Sequence, residues 1–185
     1  PTIISKTDSG KRLTRQIQSQ RFAFTASIIT AKRSDVYGEL MAFIIKQRSS
    51  KENFTIIPPE LEDARGVESG TLAVNGSHTS GDTTIAIDGF ASDTANRLRA
   101  GDFIKFNGHT KVYMVVSDVT SSSNAATVTI EPPLVSNLSD DEVVSYDNIP
   151  FTVYLTNDIQ EFGVVGADKD GNLLYKFELD VEEAL

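Results

Sequence analysis

The sequence predicts a mainly β fold of the α+β class: a sheet with one flanking helix, and a small β barrel or sandwich inserted into it. Three observations carry this. One stretch alone, residues 35–48, repeats its apolar residues at the helical period, whereas short alternating runs dominate from Thr71 onward. Glycine, asparagine, aspartate and serine separate those runs at turn spacing. The texture also changes near residues 70 and 135, which divides the chain into a basic arm (1–20), an outer unit (21–70 with 136–185) and an inserted β domain (71–135).

Taken in order, "PTIISKTDSGKRLTRQIQSQ" is polar, basic and weakly patterned, and reads as an arm rather than core. In "RFAFTASII", Phe22, Phe24, Ala26 and Ile28 alternate, the pattern of a half-buried strand. At "SDVYGELMAFIIKQR" the period changes. Ser34 is a candidate N-cap, Asp35 suits a first turn, and Val36, Leu40, Phe43 and Ile44 fall on one helical face, so a helix is expected from Asp35 to Arg48 despite Gly38. "NFTIIPP" predicts a short strand at Phe54–Ile57, stopped by prolines that cannot donate to a ladder.

Within 71–135, "TLAVNG", "TTIAIDGF", "DFIKFNGHTKVYMVVSD" and "ATVTIEPP" supply the strands of a small barrel or sandwich. In "LRAGDFIKF", Leu98 anchors a core, Ala100-Gly101-Asp102 turns the chain, and Phe103 opens a strand answered by "KVYMVV" after the turn at "NGH". Beyond the acidic loop "SNLSDDE", "IPFTVYLTND" alternates Phe151, Val153 and Leu155 with polar residues. Asp170-Gly171, flanked by β runs, predicts a hairpin, because glycine tolerates the positive φ that such a turn needs.

Composition closes several classes of function. The 185 residues with 39% hydrophobic content suffice for a core, and no apolar run is long enough to span a bilayer, so a soluble chain made in the cytoplasm is expected. The absence of cysteine removes disulfides, thiolate metal sites and a cysteine nucleophile. The net charge of −9 hides a strong asymmetry. Residues 1–33 hold seven Lys/Arg against one acid, whereas residues 136–185 hold twelve acids against two basic residues. An acidic chain is a poor nucleic-acid wrapper, but its oppositely charged ends suit head-to-tail pairing between copies.

No catalytic, metal or cofactor motif emerges. His78 and His109 sit in turns, far from any nucleophile elbow, and read as loop histidines. "DKDGN" (168–172) has part of a calcium-loop pattern but lacks its later ligands, and the hairpin turn explains the same residues. Asp140, Asp141 and Glu142 are adjacent in one loop, unlike the separated carboxylates of a glycosidase. The basic arm, with Lys11, Arg12, Arg15 and Arg21 as candidate assembly contacts, lacks the interleaved aromatics of a base-stacking surface. Tyr113 is the candidate for a surface ligand contact, should the β domain act as a module that recognises a cell-surface glycan or receptor.

The stretches "LRAGDFIKFNGHTKVYMVVSDVTSSSNAATVTIEPPL" and "ELMAFIIKQRSSKENFTIIPPELEDARG" resemble tail-tip proteins of tailed bacteriophages, of the distal-tail or minor-tail kind, over roughly residues 20–135. The resemblance implies a tail-tube-like outer core and a non-enzymatic virion protein. It further implies assembly in the host cytoplasm into a homo-oligomeric, hexameric ring of the tail tip or baseplate, which joins the tail tube to the baseplate hub and tail fibres. Neither sequence-specific nucleic-acid binding nor membrane insertion is expected.

Overall fold

The computed structural model describes residues 2–16, 19–161 and 163–185. It divides the chain into two compact units: residues 57–150 together with the N-terminal stretch to Gln20, and residues 21–56 together with 151–185.

The first unit begins with a two-stranded antiparallel hairpin, β1 (Thr2–Lys6) and β2 (Arg12–Gln16), in which Lys6 pairs with Arg12 and Ile3 with Arg15. Its turn is held by Thr7, whose N–H donates to the Lys11 carbonyl and whose hydroxyl accepts from the Lys11 N–H at 3.1 Å. The stretch expected to be an arm rather than core thus forms a regular hairpin, exposed over residues 2–15.

After the residues of the second unit, which include β3 (Ala23–Ala31) and β4 (Phe54–Ile56), the chain builds a closed antiparallel barrel. Its strands are β5 (Leu72–Val74), β6 (Thr84–Asp88), β7 (Phe103–Phe106), β8 (Val112–Val115), β9 (Ala125–Glu131) and β10 (Val143–Ser145). They close in the order β10-β5-β6-β9-β8-β7. The last of them lies beyond residue 135, where the inserted domain was expected to stop. Val144 pairs with Leu72 on one side and Phe106 on the other, so β10 is the stave that joins β5 to β7. Leu72, Val74, Ile85, Ile87, Ile104 and Phe106 are among the fully buried interior residues. Closure removes the exposed backbone edges that an open sheet of such short strands would carry.

The second unit is a five-stranded sheet. Long β13 (Leu173–Glu183) lies at its centre, with β3 along one side and β12 (Gly163–Ala167) and β11 (Phe151–Leu155) in succession along the other, and β4 outside β11. Phe177, Leu179 and Val181 alternate into the core beside Phe151, Val153 and Leu155. Phe151 meets Phe22 and Phe24 edge-on at centroid distances of 6.0 and 4.9 Å. Of the expected β3 alternation, Phe22 and Phe24 are half-buried, Ala26 is exposed, and the Ile28 side chain lies outside the described residues.

The helix, α1, spans Gly38–Lys46 and is shorter than expected. A wide turn at Arg33–Tyr37 is broken at Asp35, whose φ of −96° and ψ of −132° are not helical. Ser34 does not cap it; its hydroxyl donates to the Asp35 carboxylate instead. The bend turns Val36 out to solvent and buries Tyr37, which stacks on Tyr175 at 4.6 Å. Stacking of two large rings outweighs continuation of a helix that would in any case carry Gly38 in its interior. Arg48 and Ser49 adopt positive φ and end the helix after Lys46, a favourable last-turn cation. The "DKDGN" turn forms as expected, with Gly171 at φ +80°.

Candidate assembly surfaces

Three of the acids that attract attention in the sequence, Asp140, Glu142 and Asp168, prove to be loop fasteners. Asp140 accepts the Gly76 N–H at 2.6 Å, and Glu142 accepts the N–H groups of Gly108 and Ser139. Asp168 accepts from Asp170 N–H, from both the backbone and side chain of Asn172, and from Lys32 at 2.8 Å. The Lys32 ammonium, then Asn172, holds the Asp168 carboxyl well below the usual carboxylate range. An aspartate on one side of a hairpin turn thus gathers the turn's own donors.

The "LRAGD" turn works in the same way. Asp102, 3% exposed, accepts from the N–H groups of Arg65 (2.8 Å), Gly66 (3.2 Å) and Arg99 (2.8 Å), tying the segment before β5 to the start of β7. Replacing Asp102 by Ala orphans three donors at a buried site, and the expected cost is about 2 kcal/mol of barrel stability, measurable by urea unfolding.

Both histidines are structural. The His78 Nε2 accepts the Ala86 N–H at 3.2 Å, and His109 is buried with its Nδ1 2.9 Å from the Tyr113 hydroxyl. Tyr113 corrects the expectation of a surface ligand contact. It is fully buried in the barrel, and its hydroxyl also accepts the Val135 N–H at 3.2 Å. Tyr113 and Val115 both belong to the barrel core, so the face of β8 that carries Tyr113 is the inner one. A period-2 pattern identifies faces; it does not reveal what lies over them.

Two oppositely charged surfaces remain. On the N-terminal hairpin, Lys6, Lys11, Arg12 and Arg15 are exposed, and among the described residues none of them forms an ion pair. Lys6 and Arg12 face each other directly across the strands, a like-charge pair that disfavours the isolated hairpin and favours an anionic neighbour. Ile3, Ile4 and Leu13 are exposed beside these cations. Arg21 differs from the other candidates: it lies in the second unit and is engaged there by Glu182 at 2.9 Å and by the Tyr154 hydroxyl.

The second surface is the outward face of β13, where Glu178, Asp180 and Glu182 alternate with the core residues. Asp180 accepts from Thr25 and Asn157, and Glu182 binds Arg21, whereas Glu178 makes no ion pair among the described residues. Together with the 156–161 loop and β12, Glu178 and Asp180 border an open groove of about 680 Å³ that exposes Ile159 and Val165. The alternation "FELDVE" carried the signal for this stripe: a strand with one apolar face must present its acids together on the other.

Among the described residues, no group of three or more His, Asp or Glu is arranged to hold a metal ion. No curated protein matches the chain. Residues 63–149, which contain all six barrel strands, match the family model described as "Distal tail protein pb9, B domain". The match spans just under half of the chain and, falling on the barrel that holds the "LRAGD" and "EPPL" stretches, supports a phage distal-tail family with a structural role in the virion tail.

Proposed function

We propose that the protein is a non-enzymatic, ring-forming component of the phage tail tip that joins the tail tube to the host-recognition proteins. The single observation that carries this reading is the B-domain match over residues 63–149. In this reading the sheet-and-helix unit is the tail-tube-like core from which the ring is built, and the barrel is an appended module. The outer strands β3, β4 and β12 have, among the described residues, neighbours on one side only, and a ring of six copies supplies partners for such edges. The basic hairpin and the acidic face of β13 give the contacts between copies a sign.

The test is the mass and symmetry of the purified protein by light scattering and negative-stain class averages, alone and with tail tubes. Closed rings support the proposal, and a strict monomer that ignores tail components refutes it. The substitutions Lys11→Glu, Arg12→Glu and Arg15→Glu together are expected to weaken assembly about tenfold or more at low salt while the melting temperature stays within a few degrees, because exposed charges govern association more than folding. Ring formation at wild-type strength by this variant would remove the hairpin from the assembly contacts.

A further inference from the structure

We infer that the N-terminal hairpin of one copy docks into the acidic groove beside β13 of a second copy. The inference rests on the ring-forming reading and names the contact that would connect neighbours. Three features of the hairpin call for a partner. A lone two-stranded hairpin is marginally stable in water. This one opposes Lys6 to Arg12 without a neutralising acid among the described residues. It also leaves Ile3 and Leu13 57% and 49% exposed on the face that carries Arg15, since Ile3 is paired with Arg15 and Leu13 with Ser5.

The groove has the complementary chemistry. Its floor and lip expose Ile159 (78%) and Val165 (53%), and around them stand Asp158, Glu161, Glu178 and Asp180, with Lys176 the one cation of its lining. Ile3 and Leu13 cover Ile159 and Val165, and Arg15 meets Glu178, while Lys6 and Arg12, on the hairpin's opposite face, add only to its overall positive charge. Apolar contact supplies adhesion, and the opposite charges set orientation and exclude hairpin-to-hairpin pairing. A second copy is the occupant because both halves of the match, in charge and in apolar character, are present in this one chain.

The absence of native cysteine makes the test direct. Full-length Leu13→Cys and Ile159→Cys chains are mixed under oxidising conditions and run on a non-reducing gel. Disulfide-linked dimers in the mixture, and only background in each chain alone, are the expected result. In parallel, Arg15→Glu and Glu178→Lys are each expected to weaken self-association about tenfold, and an equimolar mixture of the two to restore it, because each hairpin then finds a groove of opposite sign. Rings that assemble without the Leu13–Ile159 cross-link overturn the docking and leave ring formation standing. A chain that stays monomeric overturns both. Cross-linked pairs that never close into rings uphold the docking and overturn the ring.

Discussion

Glu68→Gln is expected to cost the barrel about 3 kcal/mol at neutral pH, the range found when one partner of a buried ion pair is removed. Glu68 and Arg97 have side chains 0% and 5% exposed, and they meet at 2.6 Å between Oε2 and Nε. The other carboxylate oxygen of Glu68 accepts from the N–H groups of Ser69, Gly70 and Ala91. One side chain thus fastens the segment leading to β5, the loop after β6 and the segment before β7. The glutamine variant keeps the shape but places an NH₂ group near donors and leaves the guanidinium without its counter-charge. Arg97→Met should be similarly costly, and the double variant less costly than the sum, because the second change removes the charge that the first stranded.

The same pair makes a pH prediction. Burial works to raise the Glu68 carboxyl, but Arg97 and the N–H groups of Ala91, Gly70 and Ser69 outweigh it and hold it at about 2, against 4.5 for a free glutamate. A depressed carboxyl stabilises the fold fully above its unfolded value and loses that contribution as pH falls toward its folded one. The stability difference between wild type and Glu68→Gln is therefore largest at neutral pH and shrinks between 4.5 and 2. Denaturant unfolding at pH 7 and pH 3 measures it, and an unchanged difference would mean that the pair does not govern the barrel's acid sensitivity.

Gly89→Ala is expected to destabilise the barrel by about 3 kcal/mol, through a left-handed backbone and an overpacked contact acting together. Gly89 has φ +83°, and a Cβ added to it would fall on the Thr71 carbonyl oxygen. That oxygen belongs to the backbone and has little room to move. Gly76 is the control, for it has the same φ of +83° with nothing within 4 Å of its added Cβ. Gly76→Ala should therefore cost only the conformational part, about 1 kcal/mol. Thermal melts of the two variants separate the terms, and equal losses would show that the approach of Gly89 to Thr71 does not constrain the fold.

Much of the β architecture was legible because its signals are local. The Asp170-Gly171 turn needs a positive φ at Gly171, and Gly171 supplies it. The alternations in β11 and β13 follow from the pleat, whatever packs on them. Leu98 and the turn before Phe103 were readable for the same reason, since a core anchor, a glycine turn and a new strand lie within nine residues of "LRAGDFIKF". The resemblance to distal-tail proteins rested on this segment, on the "EPPL" exit and on the helix leading into "NFTIIPP"; the family match over residues 63–149 includes the first two and not the helix.

What escaped the sequence depended on contacts distant along the chain. Local alternation left Tyr113 open between an outward aromatic and a rim or core one, and the closed barrel, with Val135 and His109 at its hydroxyl, decides for the core. The early start assigned to α1 followed helical periodicity, which knew nothing of Tyr175, more than a hundred residues away, as the stacking partner of Tyr37. Val143–Ser145 is too short to stand out as a strand, and it becomes one because β5 and β7 offer it backbone partners on both sides.

The sequence by itself determined the mainly β class, the turns and the separation of charge between the two ends, since these depend on backbone preference and on residue count along short stretches. Tertiary structure alone decided which carboxylates are buried fasteners and which are free to attract a partner. Glu68 and Glu178 are the same residue type, but the first is enclosed by Arg97 and three N–H groups while the second faces solvent on β13. Burial and partnership are set by what the fold brings together, and no single stretch of chain encodes them.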